Sequence, residues 1–206
     1  MKINDSKKLT SKQRELADKW IKENALSWGV GSASVSEINK MGLSKATFSA
    51  FRRAVQNCVK NGSVRVGYLL IDAFYIPYLR GIRMPKKILR LRSEQAKKLN
   101  FSGQQMAIIN GDEKSFSIAA ASIIAKVYRD KLMTSLSKRF QFKKYHWGKN
   151  KGYGTKEHRE AILKYGITKI HRKKFVESYL LLLLFSNSIE NLTRAFCSFL
   201  FSDGVL

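Results

Sequence analysis

Two apolar runs, each stopping at an acid, constrain this chain more than any other feature. "VGYLLIDAFYIP", residues 66–77, is almost continuously hydrophobic up to Asp72, and "MAIIN", residues 106–110, runs straight into "GDEKSF" with Asp112. Unbroken runs of this kind read as strands buried on both faces. Such strands belong to parallel sheets, whose connections are crossovers and whose carboxyl ends share one edge. Asp72 and Asp112 are therefore expected together at one end of a covered α/β sheet. Acids just past strand ends are commonly turn formers or helix caps. A converging pair also offers the oxygen donors that hard divalent ions such as Mg²⁺ or Mn²⁺ take, and with them metal-assisted phosphodiester cleavage.

Helices fill the rest of the pattern. Thr10 with Gln13, and Ser34 with Glu37, form capping boxes, the first opening a helix through about Asn24. Between them "ALSWGVGSA", residues 25–33, reads as a strand with two glycines. Ser44 can cap a third helix whose Phe48, Phe51, Val55 and Cys58 or Val59 fall on one face as core. Residues 80–105 are basic, broken by Pro85 and Gly103, and read as an exposed insertion with a short helix. A long helix is expected from Ser117 to about Phe140, rich in small residues, with Ser122, Lys126 and Asp130 on one face. Further on, "KGYGT" puts Tyr153 in a glycine-flanked turn and Thr155 at the cap of a helix bearing His158. His158 and His171 read as solvated positions on basic helices. Residues 179–206, aromatic and leucine-rich, read as a hydrophobic tail beside a domain of residues 1–178.

Charge narrows the partner. Against 15 Asp plus Glu stand 39 Lys plus Arg, a formal charge of +24. Such a surface gains affinity for nucleic acid by releasing condensed counterions, although ribosomal and membrane-surface proteins share the imbalance. Lys151, Lys156, Arg159, Arg172, Lys173 and Lys174 surround Tyr153 in sequence, an aromatic among phosphate-binding cations. Cys58 and Cys197 are far apart and have no metal-ligand spacing, so neither a zinc site nor a disulfide framework is supported. The start lacks an apolar signal region, and the longest apolar run, residues 180–185, is far short of a membrane span. The expectation is a cytoplasmic monomer with no membrane partner.

Taken in order, "NDSKKLT" (4–10), "VGSASVSEI" (30–38), "ATFSAFRRAV" (46–55), "LLIDA" (69–73), "INGDEKSFSIAAASIIAKVYRDKLM" (109–133), "KGYGTKEHREAI" and "HRKKF" (151–175) resemble ribonuclease HII. The resemblance implies a ribonuclease H-like mixed sheet flanked by helices. It also implies an endonuclease that hydrolyses the RNA strand of RNA/DNA hybrids and cuts 5′ of ribonucleotides embedded in duplex DNA, with Mg²⁺ or Mn²⁺. The family's third and fourth metal-binding acids fall on Asp72 and Asp112. Tyr153 matches the tyrosine that senses the ribose 2′-hydroxyl, and Lys7, Lys8, Lys126 and Arg172 are the phosphate-contact candidates. Asp130 matches a position read as supporting the site. The family pattern also places a strand with an Asp-Glu pair and a Gly-Arg-Gly turn ahead of "NDSKKL", where this sequence has Met1, Lys2 and Ile3. From that departure the expectations are an N-terminally truncated sheet, an unpaired edge beside Asp72, and half the acid set. An inactive remnant that only binds nucleic acid is the alternative reading.

Overall fold

The computed structural model describes residues 7–63, 65–79, 82–83 and 103–181. Helix α1 (Ser11–Asn24) begins at the expected capping box: Gln13 N–H donates to Thr10 Oγ1, and Thr10 N–H donates to Gln13 Oε1 at 2.8 Å. Helix α2 (Val35–Met41) starts the same way at Ser34 and Glu37. Helix α3 (Leu43–Gly62) follows at once, with Gly42 rather than Ser44 in the capping position. Three parallel strands come next, β1 (Tyr68–Asp72), β2 (Ile82–Arg83) and β3 (Gly103–Ile108), in spatial order β1-β3-β2. A one-turn helix α4 (Gly111–Lys114) leads into the long α5 (Phe116–Ser137). A 3-10 turn (Phe140–Tyr145), the short α6 (Trp147–Asn150) and α7 (Lys156–Tyr165) complete the described core, and residues 173–181 form a last helical stretch, α8.

Helix α5 organises the packing. Its Ala120, Ile123, Ile124 and Val127 meet Ala17 and Ile21 of α1, small residues letting the two helices approach closely. One turn from its end, Met133 enters a second cluster with Phe142, Tyr145, Trp147, Ala161, Ile162 and Val176. A third cluster lies against the sheet, where Ile71, Ile76 and Leu79 pack with Phe51 and Val55 of α3. Phe51 meets Phe74 edge to face at 4.9 Å between centroids. The buried Gln105 of β3 ties the segment after β1 across the sheet: its Oε1 accepts from Ile76 N–H at 2.8 Å and its Nε2 donates to Ile76 O at 3.0 Å.

Three expectations are corrected. The β1 run is not buried on both faces: Leu69 and Ile71 turn to α3, whereas Tyr68, Leu70 and, on β3, Met106 are 47%, 39% and 47% exposed. Side chains alternate across a strand, so one covering helix layer hides only every second residue. Residues 25–33 form no strand. They run extended along α3, where Asn61 Nδ2 donates to Trp28 O at 3.0 Å and Asn57 Nδ2 to Val30 O at 2.8 Å, so helix amides stand in for a strand partner. The approach is close enough that a Cβ on Gly31 would lie 1.9 Å from Ala50 O. Finally, the basic stretch 80–105 contributes β2 and the beginning of β3 to the sheet. The helix expected inside it, and all of 182–206, lie outside the described residues.

Candidate active site

β1 and β3 pair in parallel with Asp72 opposite Ile108, so the next residues of both strands leave the sheet at the same edge. The backbone there turns sharply. Ala73 (φ 59°) and Asn110 (φ 55°) both take the left-handed conformation, which side chains disfavour and which packed surroundings must hold in place. Ala73 N–H donates to Ile108 O at 3.0 Å, and Gly111 N–H donates to Asp72 Oδ1 at 2.9 Å. This second bond ties the first carboxylate to the turn that presents the second. The turn is tightly packed here, since a Cβ on Gly111 would come 2.6 Å from Ile118 Cδ1 and 3.4 Å from Asp72 Oδ1.

Lysines from the chain's start close over this turn. Lys7 Nζ lies 3.4 Å from Asp112 Oδ2, and Lys8 Nζ lies 2.8 Å from Glu113 Oε1. Asp112's side chain is mostly buried at 12% exposure, while Lys8 and Glu113 are both about half exposed at 57% and 47%. Asp72, Asp112, Lys7 and Lys8 are thus brought together. No cluster of three or more His, Cys, Asp or Glu suited to a metal ion occurs among the described residues.

Tyr153, Lys126 and Asp130 form a second group further along α5. Lys126 Nζ lies 3.3 Å from Tyr153 Oη, 5.1 Å from the centre of its ring, and 2.9 Å from Asp130 Oδ1. Asp130 also meets Arg14 of α1 at 3.6 Å, which ties α1 to α5 beside the tyrosine. Phe116 follows the acid turn and Lys126 comes about ten residues later, a rise of roughly 15 Å along a helix. Arg172 joins neither group directly: its guanidinium stacks on Phe175, 4.5 Å from the ring centre.

Both histidines are corrected from solvated positions to core. His158 and His171 are 5% and 6% exposed, with Nε2 atoms 3.4 Å apart beneath Tyr145 and Trp147. Burial, and then the neighbouring His158, push His171 down to about 4. His158 shares its face of α7 with Ala161 and Ile162, and all three are buried. Nothing local marks His171, which is buried by its meeting with His158.

The fold and these geometries define an α/β protein with a carboxylate site at the carboxyl edge of a parallel sheet, with Lys7 and Lys8 drawn to it. The family model for ribonuclease HII matches residues 1–178. The ribonuclease HII of Caldanaerobacter subterraneus is 42% identical over 178 residues, covering 86% of this chain and 62% of its own length. That of Clostridioides difficile is 42% identical over 178 residues and 59% of its length, and that of Pelagibacter ubique is 41% identical over 173 residues and 78% of its length. This chain belongs to the ribonuclease HII family. It spans about three fifths of the length of the first two of these relatives.

Proposed function

We propose that this chain acts as an endoribonuclease of ribonuclease HII type, hydrolysing the RNA strand of RNA/DNA hybrids and cutting 5′ of ribonucleotides embedded in duplex DNA. In this reading residues 1–178 are the catalytic domain and Asp72 and Asp112 are the metal-binding acids. The observation that carries it is the bond from Gly111 N–H to Asp72 Oδ1, which joins two acid-bearing strand ends in a chain of this family.

The donor set suits a hard divalent ion: two carboxylates, no sulfur or imidazole, and an ammonium already drawn to Asp112. Mg²⁺ or Mn²⁺ held by Asp72 and Asp112 would supply water activation and polarisation of the phosphodiester. Around it, Lys7 and Lys8 sit where the flanking phosphates would pass and can exchange Asp112 and Glu113 for them. Lys126 and the exposed ring of Tyr153 present a cation and a hydroxyl to a ribose 2′-hydroxyl, the group that separates RNA from DNA. Arg172 offers a further phosphate contact from the start of α8. The partner is a nucleic-acid duplex met by a cytoplasmic monomer. Among the described residues no helix is long and apolar enough to cross a membrane.

Asp72 and Asp112, with Glu113 beside them, are the acids at the sheet end among the described residues, and a second reading is that this chain binds the duplex without cutting it. A labelled duplex with one embedded ribonucleotide separates the two. The chain is expected to bind it, with affinity falling steeply as salt rises. The enzymatic reading expects metal-dependent cutting, tested on this chain and on a version carrying an added N-terminal Asp-Glu pair and glycine turn. Absence of cutting by both versions in both Mg²⁺ and Mn²⁺ would overturn the enzymatic reading.

A further inference from the structure

We propose that His158 is the positioning residue for Tyr153, holding the tyrosine's backbone carbonyl through an imidazole tautomer that Trp147 and His171 impose. The inference rests on the reading of Tyr153 as the group that senses ribose. Tyr153 needs such a hold. Its side chain is 57% exposed, and the turn before it passes through Lys151 (φ 51°) and Gly152 (φ 79°), both left-handed. Packing therefore does little to place the ring, and the turn must be fastened through its backbone.

The fastening comes from buried side chains. Asn150, 6% exposed, accepts from Gly152 N–H at 2.8 Å and donates to Tyr145 O at 2.7 Å. Tyr153 O receives Thr155 N–H at 2.9 Å and lies 2.9 Å from His158 Nδ1. A carbonyl only accepts, so this bond forms only when His158 carries its hydrogen on Nδ1.

The neighbours settle that tautomer. Trp147 Nε1–H can only donate, and it reaches His158 Nε2 at 3.1 Å. Thr168 N–H donates to His171 Nδ1 at 2.9 Å, which leaves the His171 hydrogen on Nε2, 3.4 Å from the same His158 nitrogen. Two donors converge on His158 Nε2, so it must accept, and the one ring hydrogen goes to Nδ1. The tautomer, and with it the hold on Tyr153, is wired from the buried core.

Nitrogen-15 spectra of the histidine rings in the full chain test the wiring directly: His158 is expected to carry its proton on Nδ1, and a proton on Nε2 would overturn the inference. Two substitutions then separate holding from mere packing. His158→Asn places an amide nitrogen near Nδ1 and can keep the bond to Tyr153, whereas His158→Gln reaches toward Nε2 and loses it. The readouts are the carbon-13 shift of the Tyr153 carbonyl, and the ratio of affinities for a duplex with one ribonucleotide and the all-DNA duplex. His158→Gln is expected to move the carbonyl signal and lower the ratio about fivefold, the worth of one hydrogen bond, with His158→Asn keeping both near wild type. An unchanged carbonyl signal in His158→Gln, or equal losses in the two variants, would overturn the positioning role. A ratio that Tyr153→Ala also leaves unchanged would instead overturn the reading of Tyr153, while the carbonyl signal still decides whether His158 holds the turn.

Discussion

The acid end of the sheet and the tyrosine turn are held in opposite ways. Asp72 and Asp112 are carried by turns through the left-handed Ala73 and Asn110 at a sheet edge, braced by the bond from Gly111 N–H to Asp72 Oδ1 and by lysines reaching in from solvent. Tyr153 stands on a turn whose carbonyl and amide groups are taken up by Asn150 and His158, buried beneath a wall of Tyr145 and Trp147. The difference teaches that the tyrosine turn is held by the buried core beneath it, while the acid end leans on charges brought to it. A carboxylate pair without neutralising partners repels itself, whereas a neutral hydrogen-bond network is satisfied internally.

The largest effect should fall on the acid end. In a chain extended with the Asp-Glu segment, Asp72→Asn or Asp112→Asn is expected to reduce cutting of the embedded ribonucleotide to background while leaving duplex binding intact, because an amide keeps the shape but loses the charge that holds metal. Undiminished cutting by either variant would reverse the assignment of the two ends. Next comes Gly111→Ala, whose Cβ would meet Ile118 Cδ1 at 2.6 Å and force that side chain to shift. It should lower cutting severely and cost stability by about 1–3 kcal/mol through overpacking, measured by urea unfolding, with Tyr153-dependent binding unaffected.

Acid should loosen the tyrosine end. His171 is held near 4 in the folded chain against an ordinary 6.5, so the unfolded chain binds the extra proton between those values. Stability is then full above about pH 6.5 and falls as the pH drops from there through 4. Urea midpoints at pH 7 and pH 4 check this, and His171→Asn should remove that component of the loss. His158 is the titratable ring facing it, so proton uptake should also disturb the Tyr153 carbonyl signal. The smallest effect is expected for Lys8→Ala. Its ion pair with Glu113 is exposed, so stability should change by less than about 0.5 kcal/mol, and a larger change would mean that the acid end is braced more firmly than its exposure indicates.

Legibility followed the range of the forces involved. Capping boxes at Thr10 and Ser34 and the helix face of Lys126 and Asp130 were readable because each involves residues three or four apart. The meeting of Asp72 and Asp112 was readable too, since parallel strands leave their carboxyl ends no other arrangement. Residues 25–33 misled because an extended apolar segment looks alike whether its partner is a strand or, as here, the asparagines of α3. The histidines misled because basic neighbours in sequence suggested water, while the aromatic wall that buries them, Tyr145 and Trp147, comes from a separate stretch more than ten residues earlier in the chain.

By itself, then, the sequence determined where helices begin, which acids end the strands, and that the chain carries a large positive charge. Those properties depend on nearest neighbours and on composition, which any sequence displays. Only the tertiary structure decided that one face of β1 stays open, that Lys7 leans on Asp112, and that two buried rings choose a tautomer for the sake of a turn. Each of these needs a partner more than ten residues away, and such a partner is set by how the layers close on one another.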